Sequence, residues 1–99
     1  MLMTSPASIS NPALDEHSLS STLPPYRVIL HNDDVNDMAH VVRALLASIP
    51  ELGTNQAKEI MLNAHLQGRA EVITCPLEHA ELYRDRLESF GLTTTIEKA

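Results

Sequence analysis

Residues 26–38 read YRVILHNDDVNDM, an apolar, β-branched run that breaks abruptly into Asn32, Asp33, Asp34, Asn36 and Asp37. Tyr26, Val28 and Leu30 alternate with Arg27, Ile29 and His31, the period of a strand with one apolar face and one partly wet face. The Asn and Asp residues end sheet pairing, because their short polar side chains bond nearby backbone and favour turns. They also gather several oxygen acceptors in one place. Such a cluster suits an ammonium group, a hard cation, or the N-terminus of a following helix.

Downstream of this loop, Met38, Val41, Val42, Leu45, Leu46 and Ile49 keep i, i+3, i+4, i+7 spacing, which predicts an amphipathic helix over residues 37–48. Asn36 or Asp37 is its natural N-cap, and Pro50 with Gly53 closes it. A second helix is expected from Thr54 or Asn55, burying Ala57, Ile60, Met61 and Ala64 and ending at Gly68, which can turn left-handed. His65 stands one turn after Met61 at the edge of that stripe. Ala70, Val72 and Thr74 then alternate with Glu71, Ile73 and Cys75 in a strand. Pro76 opens a third helix through Leu77, Ala80, Tyr83, Leu87 and Phe90. After Gly91, Leu92, Thr94 and Ile96 alternate with Thr93 and Thr95 in a last strand. The order β-α-α-β-α-β predicts an α+β two-layer sandwich, a three-stranded antiparallel sheet with three helices on one face.

Upstream, residues 1–25 hold four of the six Pro and six of the eight Ser, with no Lys or Arg. Too little apolar surface is available there to offset ordering entropy, so a disordered tail is expected, followed by a single core domain at 26–99. Thirteen acidic against seven basic residues give a net charge of −6. That excludes the basic footprint nucleic acid and anionic membranes require. One cysteine, Cys75, forms no internal disulfide, and neither a targeting leader nor a transmembrane stretch is legible. The cytoplasm is the expected location.

Metal and enzyme readings fare poorly. The Asp33 to Asp37 run lacks the D-x-D-x-D-G spacing and the twelfth-position Glu of a calcium loop. His31, His40 and His65 form no H-x-x-x-H pair, and no C-x-x-C exists. No Ser or Cys nucleophile lies in a recognisable frame, so neither cofactor nor catalysis is expected.

The strand Y-R-V-I-L-x-N-D-D followed by Met38, then residues 60–68 (IMLNAHLQG), Glu78-His79-Ala80-Glu81 and Gly91-Leu92, resemble the ClpS adaptor family. The resemblance runs over residues 26–99. It implies an adaptor that captures proteins bearing a bulky hydrophobic N-terminal residue and passes them to the N-terminal domain of a Clp AAA+ ATPase, acting as a monomer. By that resemblance, Asn32 and His65 are amine ligands, Asp33 adds charge, Asp34 orders the loop, and Asn36 stands beside them. Met38, Val41, Met61, Ala64 and Leu92 form the apolar pocket, and Glu78, Tyr83 and Arg84 face the ATPase. The chemistry is consistent with this. A free α-amine, with a reference pKa of about 7.7–8.0, is an ammonium near neutral pH with three donors to satisfy.

Three departures from the family pattern stand out. Asn36-Asp37 replaces a common Thr-Pro before the Met, Ala64 replaces a common Val, and Tyr83 occupies a Lys position. A rival reading is a purely structural interaction module, since the family's fold resembles the C-terminal domain of the ribosomal stalk protein. A plastid stroma would be the location in a plant host.

Overall fold

The computed structural model describes residues 23–99. The expected tail at 1–25 therefore lies almost wholly outside the described residues. The chain runs β1 (Pro25–His31), α1 (Met38–Ser48), α2 (Thr54–Gln67), β2 (Arg69–Pro76), α3 (Leu77–Ser89) and β3 (Thr94–Lys98). This is the α+β order the sequence predicts, with β1 beginning one residue early, at Pro25. β1 is the central strand, paired antiparallel to β2 on one side and β3 on the other.

The core lies between the sheet and the helices. Val28, Leu45, Ile49 and Leu87 are wholly shielded from solvent, and Ala57, Ala64, Ala80 and Leu92 fill the spaces between them. Each fully buried Leu or Ile stabilises the fold by about 1.5–3 kcal/mol relative to an exposed one. The helix ends are defined by specific groups. Asp37 caps α1 by accepting from His40 N at 2.8 Å, and Gln56 Oε1 accepts from Gly53 N at 2.9 Å ahead of α2. Gly68 ends α2 with φ of 91°, in the left-handed region where a side chain is unfavourable.

Four expectations need correction. Ile29, expected on the partly wet face of β1, is 2% exposed. Its strand is central, and long polar side chains of all three strands lie over that face. Arg69 of β2 reaches Glu97 of β3 at 2.7 Å, Arg27 lies 3.5 Å from the same carboxylate, and His31 Nε2 is 2.7 Å from Thr95 Oγ1. In β2 the alternation changes phase. Val28 pairs with Ile73 but Ile29 pairs with Glu71, so Val72 is an extra residue and the strand bulges. Beyond it Ile73 and Cys75 pack on the core, while Thr74 is exposed and donates to Glu71 at 2.8 Å. Phe90, expected in the helical stripe, lies one residue past α3 and is 40% exposed. Pro76 sits just before α3 as its cap residue and closes β2.

Candidate functional site

The left-handed turn at Gly68 aims its carbonyl at the end of β1. Asn32 N donates to Gly68 O at 3.0 Å, and Gly68 N donates back to Ala64 O at 2.9 Å. These bonds bring the first residue of the acidic loop beside the last turn of α2, where His65 stands. Asp33 then builds the loop. Its Oδ1 accepts from Val35 N and Asn36 N, each at 3.0 Å, and its carboxylate receives Asn36 Nδ2 at 3.2 Å and Thr93 Oγ1 at 3.4 Å. The Asn36 N–H is the main cause holding the Asp33 carboxyl below its ordinary value of 3.8; partial burial opposes it, and the other donors add to it. Asp33 is therefore a carboxylate at neutral pH. The loop-ordering role expected of Asp34 belongs to Asp33, whose side chain is turned inward to the turn amides, whereas Asp34 is exposed at the rim.

A cavity of about 350 Å³ opens between this loop, α1, α2 and the α3–β3 turn. Asn32, Asp33, Asp34, Asn36 and His65 stand around it, and Met38, Val41, Met61, Ala64 and Leu92 line it as well. All ten residues picked from sequence for an amine site and an apolar pocket thus border one space. Leu30, His31 and Asp37 border it too and were not foreseen. Asp37 could have been, as a third carboxylate in the same run. His31 could not, because strand alternation gives its side chain to β3. Among the described residues no Lys or Arg lines the cavity, so three carboxylates set its field. Its volume lies at the low end of small-ligand pockets, about 300–1,000 Å³. Among the described residues there is also no group of three or more His, Cys, Asp and Glu placed to hold a metal.

Similarity to known proteins follows the same outline. A sequence model of the family described as ATP-dependent Clp protease adaptor protein ClpS matches residues 21–95. The chain belongs to the ClpS family. A ClpS adapter of Synechococcus elongatus is 50% identical over 74 residues, covering 75% of this chain and 78% of the relative. One from Synechocystis is 39% identical over 98 residues, covering 98% and 100%. A solved structure of Agrobacterium tumefaciens ClpS2 bound to L-phenylalaninamide superposes with a TM-score of 0.72 at 27% identity, covering 77% of this chain and 98% of that one. ClpS proteins are named adapters of the Clp protease and not enzymes, and membership makes a Clp protease complex the partner.

One residue expected on the ATPase-facing surface is elsewhere. Tyr83 is 6% exposed, part of the core, with its hydroxyl donating to both oxygens of Glu51 at 3.0 and 2.9 Å. Burial, with Glu51 adding, pushes its phenol pKa up. Glu78 is exposed, and Arg84 is half-buried beside Asp85 at 3.1 Å and Glu88 at 4.0 Å. Among the described residues no helix is long and apolar enough to cross a membrane.

Proposed function

We propose that the cavity binds the free α-ammonium group and the bulky hydrophobic side chain of a substrate protein's N-terminal residue, and that the chain hands this substrate to a Clp AAA+ ATPase. The observation that carries the reading is the joining of an anionic rim and an apolar chamber in one space of about 350 Å³. Asn32 and His65 supply hydrogen-bond acceptors, and Asp33 and Asp34 supply negative charge. Met38, Val41, Met61, Ala64 and Leu92 enclose the side chain. L-Phenylalaninamide, the ligand of the A. tumefaciens relative, is a free amine on a benzyl side chain with an amide where a peptide would continue. That is the same pair of groups this cavity suits. Delivery occurs as a monomer, through the ATPase's N-terminal domain, with exposed Glu78 and half-buried Arg84 as the contacts. The setting is the cytoplasm or a plastid stroma.

Titration with peptides that begin with Phe, with free or acetylated N-termini, tests the reading. Acetylation removes the charge and two donors and leaves the rim acceptors unpaired, so the acetylated peptide should bind more weakly by about 2–4 kcal/mol. His65→Ala should weaken the free peptide in the same direction. Equal affinity for both peptides would overturn amine capture.

Selectivity follows from Ala64, which is 3% exposed and lines the chamber. Compared with Val it leaves room for about two methyl groups, each worth roughly 0.8 kcal/mol when filled. A flat, long ring reaches that depth better than Leu. Peptides beginning with Phe, Tyr or Trp should therefore exceed Leu by about 1–1.5 kcal/mol, and Leu should exceed Ile and Val, whose bulk sits at Cβ near Met38. Ala64→Val should narrow the gap between Phe and Leu, and a ratio unchanged by the substitution refutes the assignment.

A further inference from the structure

Leu92 reaches the cavity from the turn between α3 and β3, and side chains from the far wall hold that turn in place. Asn36 Nδ2 donates to Gly91 O at 3.0 Å, and Thr93 Oγ1 lies 3.4 Å from Asp33 Oδ2. The shortest of these contacts comes from a residue that does not line the cavity at all. His40 Nε2 lies 2.7 Å from Phe90 O, and because a carbonyl only accepts, Nε2 must carry the hydrogen. The imidazole also meets the Phe90 ring edge-on, with centroids 6.3 Å apart at 66°. His40 sits on α1 between Met38 and Val41, so its bond spans from the helix bearing one apolar wall to the turn bearing the other. The turn closes without it. Gly91 N donates to Glu88 O at 2.9 Å and Leu92 N to Leu87 O at 3.2 Å, and the half-buried His40 lies outside the core cluster. We infer that His40 is a specificity-determining positioning residue: its hydrogen bond to Phe90 O fixes the separation of Leu92 from the Met38 and Val41 wall, and so the width of the chamber. This rests on the proposed binding of an N-terminal side chain there.

Two variants separate the hydrogen bond from the ring. His40→Phe keeps an aromatic edge against Phe90 and loses the donor, whereas His40→Gln keeps an N–H donor on a flexible chain. Both are compared with wild type by amide hydrogen exchange of the free protein and by titration with free-amine peptides beginning with Phe or Leu. In His40→Phe, exchange at Gly91 and Leu92 should quicken and affinity for the Phe peptide should fall, each by about three- to tenfold, the range of one hydrogen bond. The preference for Phe over Leu should shrink, because a chamber of unfixed width discriminates less. His40→Gln should return all three quantities to within about twofold of wild type, since it restores one donor of similar strength. An unchanged Phe to Leu ratio in His40→Phe, or a Gln variant that fails to rescue, overturns the role of His40 while leaving amine capture standing. A wild type that binds free and acetylated peptides alike overturns amine capture, and the specificity role falls with it. The exchange data separately report whether the bond holds the turn.

Discussion

Asp33 and Asp34 are adjacent and chemically identical, yet only the first organises the loop. Its carboxylate gathers Val35 N, Asn36 N, Asn36 Nδ2 and Thr93 Oγ1, which depresses its pKa below 3.8. A group with a depressed folded pKa contributes stability that is fully present above its unfolded value and is lost as pH falls through the folded one. Loop order should therefore persist through mildly acidic solution and fail only below 3.8, as followed by the amide signals of Val35 and Asn36. Asp33→Asn should cost about 1–2 kcal/mol in urea denaturation near neutral pH, because charge-assisted bonds become neutral ones and an amide N–H replaces one acceptor. The gap to wild type should narrow below that pH, and a gap constant with pH would mean the charge is irrelevant. Sequence could not choose between the two aspartates. The choice is made by which side chain the turn directs inward to Asn36 N and Val35 N.

Among the elements, the corner from α2 to β2 joins fold and site most directly. Gly68 has φ of 91° with nothing within 4 Å of where a Cβ would stand, so Gly68→Ala meets no clash and only the left-handed backbone opposes it. The expected loss is about 1–2 kcal/mol in thermal or urea unfolding. Because Gly68 O is the acceptor for Asn32 N, affinity for free-amine peptides should fall along with stability. Loss of stability with undiminished affinity would detach Asn32 from this corner. The corner was legible, since a Gly closing an amphipathic stripe has few other uses. The bulge one turn further on was not. Val72 and Ile73 are both apolar and β-branched, so the sequence there fits either phase, and only the register against β1 reveals where the alternation slips. Tyr83 is a different case: its spacing with Ala80 and Leu87 already puts it in the buried stripe of α3, and only the resemblance, through a family Lys position, puts it on the ATPase face.

For the molecule as a whole, charge and chain layout divide the work. Residues 23–99 carry eleven acidic against seven basic side chains, and Asp33, Asp34 and Asp37 meet at the cavity mouth. A cationic N-terminus is drawn toward that mouth by a field that salt screens within about 8–10 Å at physiological strength, so association should slow as salt rises. Every described residue bordering the cavity lies between Leu30 and Leu92, and β1 begins at Pro25. Deleting residues 1–22 therefore leaves these described walls and β1 whole, including the bond from Ala99 N to Pro25 O at 2.9 Å. Peptide affinity of the truncated chain should stay within about twofold of wild type, a difference under about 0.5 kcal/mol. Degradation of a substrate with an N-terminal Phe by the Clp protease should respond differently if residues 1–25 are the handle the ATPase engages: delivery should be lost although capture is intact. Undiminished degradation by the truncated chain would make that segment a passive leader, and delivery would then depend on the exposed face around Glu78 and Arg84. Weakened peptide binding would be the more disruptive result, since it would mean that the leading segment reaches a cavity whose described walls are already complete without it.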